Sequence, residues 1–279
     1  MTVLLTNDDG VRSEGLAVIR DALVAAGLRV ITVAPDAPRS GTARSATFRR
    51  AVNVDRVGGD DDIPIYGCDG TPVDCVRVGL LSHLAHDVDL LVSGVNEGAN
   101  LGDDATYSST VGAALEGALL GVPSISTSQQ AADGRFRLVD QSGYDWTWGV
   151  RATLELVDLV LAEGIPPRCA ISLNAPATNV APGVASTQLG RRAWRRGGLD
   201  LEHTDDFGHG YYSFGVNSDA DPHFIADPGT DFAALLAGNV SLTPLSLDWG
   251  VPETYRNLRT WTESAALRIG STLAAWEVA

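Results

Sequence analysis

Blocks of apolar residues alternate with polar stretches along the first half of the chain, and their lengths predict short buried strands alternating with helices. Val3–Thr6 is an apolar run of strand length, Leu16–Ala26 repeats apolar residues at helical spacing, and Val30–Ala34 is a second strand-like run. The pattern recurs as a helix over Val73–Leu84, a strand over Val88–Ser93, a helix over Val111–Leu120 and a strand over Pro123–Thr127. This alternation predicts an α/β fold built on a doubly wound, mostly parallel sheet.

The regular alternation of strand-like and helix-like segments ends near Gly134. One more helix is predicted over Trp146–Ala162, because apolar residues repeat there at helical spacing. These residues are Val150, Leu154, Val157 and Leu161. Pro176–Asp231 is rich in glycine, aspartate and arginine, which predicts hairpins and loops, and a last helix is predicted over Leu267–Val278. We therefore expect a core over residues 1–175 and a smaller C-terminal part over residues 176–279.

Composition places the chain among soluble globular proteins. Of its 279 residues, 44% are hydrophobic, which is enough for one large core. No apolar run is long enough for a membrane span and no secretory signal is recognisable, so we expect a cytoplasmic protein without a membrane partner. The three cysteines show no CxxC pair, which favours reduced, buried thiols over disulfides or a zinc site.

Charge narrows the choice of partner. The formal net charge is -15, which disfavours long nucleic acid as a partner because its binding draws on a clustered basic face. The chain contains no lysine, so a Walker A loop is excluded. Any bound phosphate must therefore be held by arginine, backbone amides or a metal ion.

Three polar clusters follow predicted strands, at the edge of the sheet where ligands bind in doubly wound folds. They are Asn7-Asp8-Asp9, Pro35–Thr42 and Gly94–Asn100. Adjacent carboxylates repel, and a hard divalent ion such as Mg²⁺ or Mn²⁺ would relieve that repulsion through oxygen ligands. Asp8 and Asp9 would supply the charge, with Ser40 and Asn96 completing the shell. An Asx turn and helix caps remain the alternative, and the lack of nearby histidine or cysteine disfavours zinc.

Hydroxyl side chains precede the predicted helix Val111–Leu120. The run Tyr107-Ser108-Ser109-Thr110 would place backbone N–H groups and hydroxyl donors at a helix start, which suits a phosphate group. Plain N-capping is the alternative. Beside a metal site, an anion-binding helix start is the better explanation.

Other candidate residues lie in the loop-rich C-terminal part and carry weaker signals. A metal role for its histidines has no supporting spacing, and a basic patch there is typical of a solvated face or subunit contact rather than a substrate site. The histidines are His203, His209 and His223, and the patch comprises Arg191, Arg192, Arg195 and Arg196 around Trp194.

The motifs together resemble the SurE (survival protein E) family of metal-dependent 5′/3′-nucleotidases, from Thr2 to about Asp248. The matching segments are LLTNDDG at Leu4–Gly10, APDAPRSGT at Ala34–Thr42, GTPVDCV at Gly70–Val76, SGVNEGANLGDDATYSSTVGAALEG at Ser93–Gly117, LGRRAW at Leu189–Trp194, GYY at Gly210–Tyr212, GTDFAAL at Gly229–Leu235 and NVSLTPLSLD at Asn239–Asp248. The chain departs from this pattern at Ser109, where the family motif usually carries glycine.

The resemblance implies a set of site residues and an assembly. Metal ligation would fall to Asp8, Asp9, Ser40 and Asn96, with Asp8 and Asp9 also catalytic. Phosphate or substrate contacts would come from Asn7, Gly41, Asn100, Ser108, Ser109 and Thr110. It further implies a Rossmann-like core, one divalent ion (Mg²⁺ or Mn²⁺) per subunit, and a homodimer or homotetramer that exchanges the hairpin and tail of residues 176–279.

The expected activity is hydrolysis of nucleoside 5′- or 3′-monophosphates to nucleoside and phosphate, with short polyphosphate as a further substrate. Water attack on phosphorus is favoured over an aspartyl-phosphate at Asp8, because a carboxylate committed to a metal is a poor nucleophile. A non-catalytic nucleotide or polyphosphate sensor is the alternative from another class. A metal-dependent glycosyltransferase is a third possibility.

Overall fold

The computed structural model describes residues 1–85, 87–136, 143–193, 199–206, 208–214, 224–248 and 260–266. The chain forms two compact units, Met1–Leu247 and Asp248–Ala279. In the second unit, residues 260–266 are helical. The helix predicted over Leu267–Val278 lies outside the described residues.

The elements follow one another along the chain as strands and helices that alternate through the first unit. They are β1 (Thr2–Thr6), α1 (Glu14–Ala25), β2 (Arg29–Pro35), β3 (Val54–Gly58), β4 (Ile65–Cys68), α2 (Pro72–Leu81), β5 (Leu90–Glu97), a 3₁₀ helix (Gly102–Thr106), α3 (Ser109–Leu119), β6 (Ser124–Gln129), α4 (Thr147–Glu163), β7 (Cys169–Ala175), β8 (Val184–Ser186), β9 (Arg191–Arg192), β10 (Leu199–Thr204), β11 (Gly210–Phe214), β12 (Phe224–Ile225), α5 (Asp231–Leu236) and β13 (Val240–Ser246).

A nine-stranded sheet in the order β3-β4-β2-β1-β5-β6-β7-β13-β8 carries the fold. The six strands from β4 to β7 in that order are parallel, β3 is antiparallel to β4, and β13 is antiparallel to β7. The predicted α/β class with a doubly wound, mostly parallel sheet is therefore confirmed.

The chain reverses its direction of travel across the sheet at β1. From β1 it moves outward through β2 to β4 on one side, then returns to β5 on the other side and continues through β6 to β7. The crevice between the carboxyl ends of β1 and β5 is thus the topological switch point, where ligands bind in open α/β sheets.

Two apolar layers cover the sheet, and β1 contributes side chains to both of them. Val3 and Leu5 pack with Leu16 and Ile19 of α1, whereas Leu4 points to the opposite layer, where Val76 of α2 is buried. Successive strand side chains face opposite sides, so a strand covered on both faces must be apolar at every position. Burying each of these large aliphatic side chains contributes about 1.5–3 kcal/mol.

Several strands were not predicted from periodicity. They are β3, β4, β7, β8 and β13. β3 is largely exposed. In β13, Pro244 follows the three residues that pair with β8, and no described strand pairs with it on that side, so its missing N–H is tolerated. Pairing between β7 and β13 runs from Ser241 opposite Asn174 to Ser246 opposite Cys169.

The structure corrects some predicted boundaries and leaves one open. β5 continues past Ser93 to Glu97, so Asn96 lies within the strand rather than after it, and α2 ends at Leu81 rather than Leu84. The division predicted after residue 175 stays a prediction, although β7 and β13 from its two sides pair in one sheet. Beyond β9, the predicted hairpin character is visible in the antiparallel pair β10–β11.

The cysteines and the helices bear on the expectations drawn from composition. Cys68 and Cys75 are buried free thiols, and Cys169 is partly exposed. Among the described helices, none combines the length and the apolar character that crossing a bilayer requires.

Candidate functional site

The turn after β1 is shaped by the side chain of Asn7. Its amide nitrogen donates to the Gly10 carbonyl at 3.2 Å and to Ser13 Oγ at 2.7 Å, while its oxygen accepts from the Gly10 N–H at 3.2 Å. The phosphate contact predicted for Asn7 is untested, but these bonds use both of its amide hydrogens. The turn directs Asp8 and Asp9 to the two sides of the switch point.

Asp8 meets residues from two other elements. The carboxylate is 3% exposed, and its Oδ1 accepts a hydrogen bond from Thr110 Oγ1 in the first turn of α3. Thr110 Oγ1 also lies 3.0 Å from Oδ1 of Asn96, whose own amide nitrogen is held by the Gly98 carbonyl at 2.7 Å. Burial raises the pKa of Asp8, and the hydrogen bond from Thr110 opposes that rise.

Asp9 lies on the β5 side of the turn. Its Oδ2 accepts from the backbone N–H of Glu97 at 3.1 Å, which joins the ends of β1 and β5. Burial, followed by the nearby charge of Asp8, raises the pKa of Asp9 to about 7. Two acids at one strand end therefore differ in environment, with Asp8 the more deeply enclosed.

The loop after β2 is bonded to the β1 turn on one side and to α3 on the other. The Arg39 N–H donates to the Asp8 carbonyl at 2.7 Å, and the Ala43 N–H donates to the Tyr107 carbonyl at 3.1 Å. Between these attachments, Ser40 and Gly41 form an exposed tip. Gly41 has φ +73 with open space around it, which glycine tolerates, and the Ser40 hydroxyl has no hydrogen-bond partner in the described part of the chain.

The start of α3 provides the hydroxyl and N–H groups that the sequence predicted. Ser108 is the N-cap, and its side chain accepts from the Val111 N–H at 3.2 Å. Within the described residues, the backbone N–H groups of Ser109 and Thr110 have no protein acceptor, as is normal in a first helical turn. Such N–H groups, with the helix dipole behind them, form an anion-binding site.

Asn100 is fixed by strands on the other side of β5. Its N–H donates to Asn174 Oδ1 at 2.7 Å, its side-chain nitrogen donates to Ser128 Oγ at 2.9 Å, and Asn174 returns a bond to the Asn100 carbonyl at 3.2 Å. Sequence reasoning missed Ser128 and Asn174. Their position at the ends of β6 and β7 became visible only once the strand order was known.

The donor chemistry at the switch point fits a hard divalent ion. Oxygen atoms of Asp8 and Asn96 both lie within hydrogen-bond distance of Thr110 Oγ1, yet that hydroxyl has only one proton to share between two acceptors. This excess of acceptor oxygens, with the second carboxylate of Asp9 adjacent, matches the ligand preference of Mg²⁺ and Mn²⁺. Among the described residues there is no group of three or more His, Cys, Asp or Glu that could bind a metal, so a metal ion at this point would need amide and hydroxyl oxygens in addition to the carboxylates.

Two of the weaker candidates have carboxylate partners outside this cluster. The His209 ring nitrogen contacts Asp205 at 2.8 Å beside the β10–β11 hairpin. Arg192, predicted to belong to a basic patch on a solvated face or subunit contact, is 7% exposed and forms an ion pair with the buried Asp104 of the 3₁₀ helix. That prediction was wrong for Arg192, because its guanidinium lies over the Phe232 ring and donates to the Phe136 carbonyl inside the subunit. The described residues do not include Trp194, Arg195, Arg196 and His223, and for His203 they include the backbone alone.

Comparison with known proteins gives a consistent result. The family model described as Survival protein SurE matches residues 3–196, which include all the predicted site residues. A protein named 5′-nucleotidase SurE from Geotalea uraniireducens (strain Rf4) is 36% identical over 265 residues, covering 94% of this chain and 99% of the relative. A protein of the same name from Xylella fastidiosa (strain M12) is 35% identical over 267 residues, covering 94% and 96%. The crystal structure of the SurE protein from Aquifex aeolicus is similar with a TM-score of 0.73 and 33% identity, covering 94% of this chain and 100% of that chain. The resemblance seen in the motifs is thereby confirmed, and the chain belongs to the SurE family.

Proposed function

We propose that this chain is a divalent-metal-dependent nucleotidase that hydrolyses nucleoside 5′-monophosphates to nucleoside and phosphate at the switch point between β1 and β5. The observation that carries the proposal is the convergence of Asp8 and Asn96 on Thr110, directly beside the N–H groups of Ser109 and Thr110, which have no acceptor among the residues that the structure describes. An oxygen-rich cation site next to an anion-binding helix start suits a phosphate ester. The name 5′-nucleotidase on the curated relatives supports the same activity.

Asp8, Asp9, Ser40 and Asn96 would hold the metal ion. When bound there, a divalent ion supplies Lewis-acid stabilisation of charge on the phosphoryl oxygens and promotes ionisation of water. Asp8 contributes the buried charge and Asn96 a neutral oxygen whose direction is set by its bond to Gly98. Ser40 would reach the site from its exposed loop tip.

Asp9 is suited to orient the attacking water. It is less enclosed than Asp8, so water can approach its carboxylate. Asp9 Oδ2 accepts from the Glu97 N–H, so Oδ1 is the oxygen that would meet the metal ion and orient the water bound there. Water then attacks phosphorus opposite the leaving oxygen of the nucleoside.

The start of α3 would hold the phosphoryl group during this attack. The N–H groups of Ser109 and Thr110 are fixed by the helix and need no rearrangement as negative charge develops on the equatorial oxygens. Gly41, whose N–H lies in the exposed loop tip, would add a contact from the opposite side. In a protein with a net charge of -15, these local donors are needed to attract an anionic substrate.

A direct attack by Asp8 to form an aspartyl-phosphate is the competing chemical route. The environment of Asp8 disfavours it, because Oδ1 is already bonded to Thr110 in a buried position. Acid-quenched single turnovers with AMP carrying ³²P in its phosphate separate the two routes. Water attack predicts that no label stays on the protein, whereas hydroxylamine-sensitive ³²P on the wild-type chain that is absent from Asp8→Asn would establish the covalent route.

The same proposal covers the substrate range, the metal ion, the assembly and the location of the protein. We expect hydrolysis of 3′-monophosphates and of short polyphosphate as well, because the N–H groups at the start of α3 would bind the phosphoryl group that all these substrates share. One Mg²⁺ or Mn²⁺ per subunit, assembly as a homodimer or homotetramer, and a cytoplasmic location remain predictions. Analytical ultracentrifugation of the full chain tests the assembly.

Phosphate release from AMP and GMP tests the proposal directly. With added Mn²⁺ we expect multiple turnovers by the wild-type chain, loss of release with EDTA, and loss of release in Asp8→Asn. Asp21→Asn is the matched control, because it removes an exposed carboxylate on α1 and should leave turnover unchanged. Nucleotide binding without release would instead indicate a sensor, and transfer from a nucleotide sugar would indicate a glycosyltransferase.

A further inference from the structure

The hydroxyl of Ser109 is buried at the first residue of α3 and is fully engaged by the loop after β2. Ser109 Oγ donates to the Arg39 carbonyl at 3.0 Å, accepts from the Thr42 N–H at 2.9 Å, and lies 3.0 Å from Thr42 Oγ1. A hydroxyl offers one donor and two acceptor positions. Since these three contacts use all of them, the side chain has no remaining donor for a phosphate oxygen.

The two residues that Ser109 contacts flank the exposed tip of the loop. Arg39 precedes Ser40 and Gly41, and Thr42 follows them, so a single oxygen atom joins both ends of the tip. Without this link, the tip would depend on the Arg39 bond to Asp8 and the Ala43 bond to Tyr107. The Ala43 bond attaches the chain one residue after Thr42, so it does not fix Thr42 itself.

The packing of α3 supports this arrangement. Gly112 lies one turn beyond Ser109, and a Cβ there would come within 2.5 Å of the Ala43 carbonyl oxygen, so the loop rests directly on the helix. The loop and the helix start are therefore held at a defined separation. This separation determines where Ser40 and the Gly41 backbone stand relative to Asp8 and Thr110.

We infer that Ser109 is a positioning residue: its hydroxyl holds Ser40 and Gly41 where they can reach the metal ion and the phosphoryl group. The inference rests on the proposed function, which assigns Ser40 to the metal and Gly41 to phosphate. It replaces the phosphate contact predicted for the Ser109 side chain, whereas the Ser109 backbone N–H keeps its place in the anion site. A glycine at this position would have no side chain to form the link.

Removing the hydroxyl should weaken binding more than turnover. In Ser109→Ala the metal ion and substrate must order the tip themselves, so Mn²⁺ affinity should fall about tenfold, the order expected for losing one or two net hydrogen bonds. KM for AMP should rise to a similar extent. The value of kcat at saturating Mn²⁺ and AMP should stay within about twofold, because no group that contacts the reacting atoms is removed.

The test compares wild type, Ser109→Ala, Ser109→Cys and the control Thr187→Val. The control removes a buried hydroxyl that pairs with Thr243 at 2.7 Å at the far edge of the sheet. Mn²⁺ affinity is measured by EPR titration of free ion, and hydrogen exchange follows the Thr42 amide, which donates to Ser109. We expect faster Thr42 exchange and weaker Mn²⁺ binding in Ser109→Ala, intermediate values in Ser109→Cys, and wild-type values in the control.

The outcomes separate this inference from the proposed function. Faster Thr42 exchange with unchanged Mn²⁺ affinity and KM would overturn the positioning role, and so would unchanged Thr42 exchange. If wild type binds no Mn²⁺ and releases no phosphate, the proposed function itself fails. Circular dichroism checks each variant for folding, and if Ser109→Ala does not fold, the same two measurements on Ser109→Cys decide.

Discussion

Replacing Asp9 by asparagine should make the metal-free protein more stable at neutral and alkaline pH. The carboxyl group titrates near 3.8 in the unfolded chain and at about 7 in the folded protein, chiefly because of burial and then because of the Asp8 charge. Between these values the folded state keeps a proton that the unfolded chain has released, so the free energy of unfolding falls as pH rises. The loss is complete once the pH exceeds the folded pKa.

The size of the effect follows from the shift. A difference of roughly three pKa units corresponds to about 4 kcal/mol, and this is an upper bound because Asp9 keeps some contact with solvent. Asp9→Asn removes the loss and also relieves the repulsion on Asp8. Without metal, the variant should therefore match wild type near pH 4 and exceed its stability by about 2–4 kcal/mol at pH 8.

Urea denaturation in EDTA between pH 4.5 and 8 measures this difference, with circular dichroism as the readout. Asp21→Asn is the control, because its exposed carboxylate should give a difference from wild type that does not vary across the range. A constant difference between Asp9→Asn and wild type over the same range would refute the reasoning. Added Mn²⁺ should restore the wild type at pH 8 and have less effect on the variant.

Three further outcomes are expected from the same structure. Thr110→Val removes the hydroxyl shared by Asp8 and Asn96, so it should lower kcat/KM for AMP by tenfold or more and destabilise the metal-free protein by about 1–3 kcal/mol at pH 8. Phosphate release measures kcat/KM and urea denaturation measures the stability. Wild-type activity in Thr110→Val would contradict this prediction. Arg192→Met leaves the Asp104 carboxylate buried without its partner and should lower the free energy of unfolding by about 3 kcal/mol at pH 7. The companion Asp104→Asn/Arg192→Met double variant should recover part of that loss, and no recovery would contradict the pairing. Mn²⁺ at a hundred times its Kd should stabilise wild type by about 2.7 kcal/mol, and Asp8→Asn should abolish this stabilisation. A thermal shift that survives in Asp8→Asn would point to another binding site.

Much of the site could be anticipated because its residues come in short runs. Asn7, Asp8 and Asp9 are contiguous, and they follow an apolar run that predicts a buried strand. Since parallel strands place their carboxyl ends at one edge, the clusters after β1, β2 and β5 were expected to meet, and the observed strand order brings them together. Hydroxyl groups ahead of a predicted helix likewise indicated the Ser108 N-cap at the start of α3.

What the sequence left undecided depends on contacts between distant positions. Asp8 and Asp9 look equivalent in the sequence, but Asp8 accepts a hydrogen bond from Thr110 whereas Asp9 accepts one from the Glu97 N–H, so their environments differ. Ser109 could have faced either a phosphate or the neighbouring loop, and only the packed structure shows that it faces the loop.

The amino-acid sequence by itself determined the α/β class, the alternating order of the first half, and the oxygen-rich character of the site, because these follow from local periodicity and residue chemistry. Tertiary structure decided the pairing of β7 with β13, the anchoring of Asn100 by Ser128 and Asn174, and the burial of Arg192 against Asp104. The physical reason is that strand neighbours and buried charge pairs depend on which surfaces exclude water together, and that is a property of the whole packed chain rather than of any segment.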